Sequence, residues 1–154
     1  MIINYTDFIN ENSKTIDNYL YLGKSTIPNA GKGLFTKKSI KKGETISEFL
    51  GRLITDEQCD IINDESVETG AADYFITLSS GEILDTYGFD CFAMFANDAE
   101  GYQKTKEFSN NSEIEESEDG RTITLVATKD ISEGSEIFAD YGKEYWDAYK
   151  TRDL

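Results

Sequence analysis

Gly134-Ser135-Glu136-Ile137-Phe138-Ala139-Asp140-Tyr141-Gly142, followed by Tyr145-Trp146, sets a short β-prone run between a glycine turn and an Asp-Tyr-Gly end. Two upstream segments decide how it is read. One is Ala30-Gly31-Lys32-Gly33-Leu34-Phe35, continuing into Lys37-Lys38-Ser39-Ile40-Lys41-Lys42-Gly43-Glu44; the other is Phe95-Ala96-Asn97-Asp98. A lone Gly-x-Gly is an ordinary turn signal, and this one lacks the third glycine and following helix of a dinucleotide fingerprint. The information lies in the order and spacing of the three segments.

The surrounding texture is short β-prone runs broken by turn residues. YLYLGKS (19–25), GLFT (33–36) and ETISEFLG (44–51) open the folded sheet; DYFITL (73–78) and EILDT (82–86) around Ser79-Ser80-Gly81 read as a hairpin. RTITLVAT (121–128) and SEIFADY (135–141) are strands joined through the turn at Gly134. Thr55 before Asp56 and Glu57 reads as the N-cap of a short helix. Phe89–Ala96 reads as one or two helical turns. Asp98–Gly120, with eight acidic residues and two lysines, reads as an acidic insertion loop. KEYWDAYKTRDL (143–154) has the mixed aromatic and charged pattern of an amphipathic helix. The expected organisation is an N-terminal flank over 1–20, one mostly β domain with minor helices over 21–146, and a helical tail over 147–154.

Composition narrows the chemistry. The 154 residues carry 15 Lys plus Arg against 30 Asp plus Glu, a formal charge of −15, and no histidine. That excludes Ser-His-Asp and Cys-His relays, imidazole-ligated zinc and a histidine pH switch. Cys59 and Cys91 are too few for a Cys-only zinc site or a disulfide framework, so no metal is expected. The acidity argues against nucleic acid and anionic membrane as partners and favours a basic protein. No basic n-region or sustained apolar run precedes residue 20, so an intracellular location is expected. Hydrophobic content of 38%, with nine Phe and nine Tyr, is enough for a core.

Taken together, the three segments resemble a SET-domain protein lysine methyltransferase, over about Tyr21 to Trp146. The resemblance implies a β-clip fold of several small sheets with a pseudoknot-like threading of the C-terminal segment. It also implies S-adenosylmethionine as cofactor, with Gly31, Lys32, Gly33, Leu34, Asn97, Asp98 and Trp146 at its site. Tyr141 matches the family's active-site tyrosine, Tyr74 lies on the substrate-channel strand, and Ala139 and Tyr145 line the channel. Because two distant cysteines cannot build the zinc modules of many eukaryotic members, the chain is similar to the minimal, zinc-free viral or microbial type.

Methyl transfer from a sulfonium to an amine is an in-line displacement that needs alignment and a neutral amine rather than a metal or imidazole. Free lysine has a pKa of about 10.4, and a nearby cation and an apolar channel both lower it. A tyrosine hydroxyl and backbone carbonyls suffice to orient the amine. The sequence departs from the family at Asp98, where histidine normally follows the asparagine, at Met94 in place of a common arginine, and in the long connection to Asn111, the candidate counterpart of a second family asparagine. Ala139 stands where Phe or Tyr is usual, which leaves room for multiple methylation. The expected substrate is a Lys-rich protein, a histone tail being the family's usual case. The alternatives are a catalytically silent SET-like module that binds a basic protein, and a β-clip protein for an unrelated ligand.

Overall fold

Strands of two to five residues cannot each bury an apolar face alone, so they assemble into small sheets sharing one core. The computed structural model describes residues 17–65, 75–86, 91–101 and 107–143. A 3-10 turn, Asp17–Tyr19, leads into β1 (Leu20–Lys24), which pairs antiparallel with β2 (Lys32–Thr36); β2 pairs on its other edge with β9 (Glu136–Ile137). The second sheet has the order β10-β7-β8-β3, with β3 at Thr45–Glu48, β7 at Ser112–Glu116, β8 at Ile123–Ala127 and β10 at Ala139–Asp140. The third is β4-β6-β5, formed by Arg52–Ile54, Ile83–Asp85 and Phe75–Thr77. The mostly β class and the several small sheets expected from the sequence are both found.

Leu34, Ile46, Leu84, Leu125 and Ile137 are completely enclosed where the three sheets meet. A smaller cluster of Ile27, Ala99 and Phe138, backed by Phe108, packs beneath the connection after Asn97. Helix α1, Asp56–Glu65, starts where Thr55 predicts. The Thr55 hydroxyl accepts the Gln58 N–H at 3.2 Å while Gln58 Oε1 accepts the Thr55 N–H at 3.0 Å, a reciprocal capping box that satisfies two donors at the helix start.

One expectation needs adjustment. The stretch 98–120 is not loop throughout, because β7 occupies Ser112–Glu116. Its acidity hides a period of two: Glu113 and Glu115 face solvent, while Ser112 is buried and Ile114 half-buried, and the antiparallel ladder to β8 supplies the backbone hydrogen bonds. The apolar run ending at Ala96 contributes a single 3-10 turn, Ala93–Phe95, with Ala93 and Ala96 packed into the core. The expected N-terminal flank up to residue 16 and the helical tail over 147–154 lie outside the described residues.

The C-terminal segment is held from two sides. Phe138 forms a parallel bridge with Asn97, and Ala139 N–H donates to the Asn97 carbonyl at 2.9 Å. On the opposite side β10 runs parallel to β7, with Ala139 against Ser112 and Asp140 against Glu113. The strand therefore sits between the two ends of the 98–111 connection, in keeping with a segment threaded beneath a preceding loop.

Candidate functional site

The turn between β1 and β2 is shaped by Ser25 N–H donating to the Gly31 carbonyl at 2.8 Å, with Gly31 at φ 72°. A side chain at that φ is strained, which accounts for glycine there. Two residues later the reason differs. A Cβ on Gly33 would stand 2.2 Å from Glu136 Oε1, so Gly33 is fixed by the close approach of a buried carboxylate. Lys32, between them, is exposed and lies directly opposite Lys24 across the β1–β2 ladder. Leu34, expected at the cofactor site, is 0% exposed and paired with Leu22 on one side and Ile137 on the other. Its side chain is core, and it serves the motif as framework.

Asn97 joins the first segment to the third. Its side-chain amide donates to the Lys32 carbonyl at 2.9 Å and, at 3.5 Å, to Glu136 Oε1, while its own carbonyl accepts from Ala139. Tyr141, half-buried, donates its phenolic proton to the Ala96 carbonyl at 2.6 Å. With its one proton so placed, the phenolic oxygen's remaining capacity is as an acceptor. Residues 96 and 97 therefore carry, side by side, the anchors of the tyrosine and of the glycine turn. Ala139, 1% exposed and packed in the core, opens β10 two residues before Tyr141, which follows the strand's end. Asp98 turns its carboxylate to the protein itself, accepting the Tyr141 N–H at 3.0 Å on Oδ2 and the Asn110 side-chain amide at 2.8 Å on Oδ1. Tyr74, Tyr145 and Trp146 lie outside the described residues.

Several supporting residues were not singled out from the sequence. Glu136, 5% exposed, accepts the Ser25 hydroxyl and the Thr26 N–H, each at 2.7 Å, and the Thr26 hydroxyl. These bonds satisfy an acid that burial alone would penalise. They also tie the glycine turn to β9. The signal was a single glutamate inside an otherwise apolar strand, SEIFA. Asn111, noted only as a counterpart of a family asparagine, clasps the segment before Tyr141: its Oδ1 accepts the Phe138 N–H at 2.9 Å and its amide donates to the Glu136 carbonyl at 3.0 Å. The adjoining Asn110 had no sequence signal beyond its place in a polar stretch.

Among the described residues no group of three His, Cys, Asp or Glu side chains is arranged to hold a metal ion, and no helix is long and apolar enough to cross a membrane. A glycine turn, an asparagine bonded to it, and an Asp-Tyr-Gly segment bonded to that asparagine's neighbours are thus brought together. The SET domain model matches residues 31–142, and the chain belongs to the SET domain family. It is 31% identical over 116 residues to a histone-lysine N-methyltransferase described as H3 lysine-36 specific in both mouse and human, a match covering 74% of this chain and 4% of each relative. It is 29% identical over 113 residues to the mouse histone-lysine N-methyltransferase NSD3, covering 72% of this chain and 7% of that protein. The chain thus spans less than a tenth of the length of these curated relatives.

Proposed function

We propose that this protein is an S-adenosylmethionine-dependent protein lysine methyltransferase acting on a basic protein. The observation that carries the reading is the meeting of three distant segments at residues 96–97: Asn97 on the Lys32 carbonyl at 2.9 Å and Tyr141 on the Ala96 carbonyl at 2.6 Å. The residues present fit the cofactor. At Gly31 the space beyond the backbone is open, with nothing within 4 Å of where a side chain would start, so a ligand can approach the main chain closely. Lys24 and Lys32, exposed and opposed, supply positive charge suited to a carboxylate at that end of the turn. When bound, S-adenosylmethionine supplies a methyl group on a sulfonium to a neutral amine approaching in line.

The protein's own work is alignment. Tyr141, with its proton committed to Ala96, presents an oxygen that accepts from the incoming lysine amine and so fixes its direction. Asn97 holds the glycine turn and the strand bearing Tyr141 at a fixed separation. Tyr74, Tyr145 and Trp146 complete the channel and adenine cover by family resemblance. Beside Tyr141, exposed Asp140 lies across from exposed Glu113, with Glu115 and Asp119 further along, an acidic surface complementary to a Lys-rich segment. Histones are the natural first substrates, given what the relatives are named for, and an intracellular setting follows from that substrate class.

Calorimetry with S-adenosylmethionine followed by a labelled-methyl assay on histones tests the proposal; binding without transfer to any basic protein would favour the silent module instead, and absence of binding would remove the methyltransferase reading. Asn97→Ala should weaken cofactor affinity, and an unaltered dissociation constant would show that Asn97 is not part of the site. Ala139 leaves the strand before Tyr141 without a bulky side chain, so mass spectrometry should find di- or trimethyl-lysine in the product. Strict monomethylation would contradict that use of the space.

A further inference from the structure

Asp98 occupies the position where the family has histidine, and its carboxylate is the centre of a hydrogen-bonded chain. Ala99 N–H donates to Asn110 Oδ1 at 2.9 Å, Asn110 Nδ2 donates to Asp98 Oδ1 at 2.8 Å, and Tyr141 N–H donates to Asp98 Oδ2 at 3.0 Å. Glu100 closes a second circuit, its N–H donating to Asp98 Oδ1 at 3.0 Å and its Oε2 accepting the Asn110 N–H at 3.0 Å. Asp98 and Asn110 are both half-buried, where mismatched donors are not simply absorbed by solvent.

Resting on the methyltransferase reading above, we infer that Asp98 and Asn110 form a relay that positions Tyr141, a role this chain builds from a carboxylate and a carboxamide. Tyr141 is held at two points, its N–H by Asp98 and its hydroxyl by Ala96, and those two anchors flank Asn97. Fixing both ends of the residue to one three-residue stretch fixes the ring relative to the asparagine that ties down the glycine turn. Asp98 need not touch a reacting atom to matter; it acts through Tyr141.

The relay has a parity that makes it testable. Its two ends, Ala99 N–H and Tyr141 N–H, are donors, so side chains 110 and 98 must each turn an acceptor outward. Between them one donor must then meet one acceptor. Along this line a carboxylate plus a carboxamide satisfies the requirement in either order, but with the carboxamide at 98 its nitrogen also faces the Glu100 N–H, which loses its acceptor; two carboxamides leave two donors facing, and two carboxylates leave two acceptors facing. Asp98→Asn and Asn110→Asp should therefore each break the relay, and the double exchange should restore the line from Ala99 to Tyr141 while leaving the exposed Glu100 N–H to solvent. The double exchange also preserves the net charge, so attraction of a basic substrate is held constant.

With the full chain, labelled S-adenosylmethionine and a histone mixture, each single variant is expected to lose roughly 10- to 100-fold in kcat, because a displaced reacting geometry costs on that scale. KM for the cofactor should change far less. The double variant should be clearly faster than either single, though short of the wild type because the Glu100 N–H bond is not regained. Singles as active as the wild type, or a double variant no better than the weaker single, would overturn the relay. Recovery of the melting temperature without recovery of kcat would reduce it to a structural prop, which also overturns positioning. If the wild type transfers no methyl at all, the methyltransferase reading falls, and the relay is then judged by amide hydrogen exchange at Tyr141. Faster exchange in both singles, reversed in the double, supports it; unchanged exchange rejects it.

Discussion

Tyr141→Phe is expected to abolish most methyl transfer, by roughly 100-fold or more, while S-adenosylmethionine affinity measured by calorimetry stays nearly unchanged. The reasoning starts from the bond made by the phenol. Its proton is donated to the Ala96 carbonyl at 2.6 Å, so the oxygen faces an incoming amine as an acceptor. Phenylalanine keeps the ring and its packing against the core but removes that acceptor. The fold loses one neutral hydrogen bond, worth about 1 kcal/mol. The glycine turn is secured elsewhere, through Asn97 and Glu136, so under the proposed function cofactor affinity has little reason to follow. A variant that transfers as fast as the wild type would remove the hydroxyl from the reaction.

Gly33→Ala should produce the largest loss of stability. The added Cβ would meet Glu136 Oε1 at 2.2 Å and the Ser25 Cα at 3.2 Å, so neither partner can be spared. Moving the carboxylate breaks its bonds to Ser25 and Thr26 and leaves a buried acid short of donors. Overpacking of this kind costs about 1–3 kcal/mol and the lost hydrogen bonds add to it. A cost of about 3 kcal/mol corresponds to a melting temperature lower by roughly 6–12 °C for a domain of this size. Gly31→Ala is the useful contrast: it meets no atom within 4 Å and carries only the strain of φ 72°, about 1–2 kcal/mol. Equal melting temperatures for wild type and Gly33→Ala would show that Glu136 has room to move.

What could be read from the sequence follows from what local patterns encode. The β runs at 20–24, 32–36, 123–127 and 136–140 announced themselves by β-prone residues between turn glycines, and Thr55 by its cap chemistry. Gly31, Asn97 and Tyr141 were singled out because the order and spacing of their three segments resemble one family, and the fold brings those segments together. β7 was not, because SEIEE reads as solvated until its partner β8 is known, and a ladder partner is a long-range fact. Glu136 and Asn110 escaped for the same reason. Each is an ordinary polar residue whose partners are between 10 and 111 positions away, so nothing within a local window marks it. Leu34 was placed by its position in the resembling motif, and its side chain belongs to the core, facing Leu22 and Ile137 in the ladders on either side.

The strand gripped between Asn97 and the Asn111–Glu113 segment has a kinetic consequence. The Ser25–Gly31 bond forms locally, but the bonds that tie the glycine turn to the rest of the fold wait for Asn97 and Glu136, and Tyr141 is seated against residues 96 and 98, so most of the assembly forms late. Such non-local closure raises contact order and slows folding. During synthesis these segments meet only once residues near 141 have left the ribosome, and the earlier sheets must persist until then with the edge of β2 that receives β9 unpaired. The same feature makes the meeting of residues 31–33, 96–98 and 136–141 a late and cooperative event.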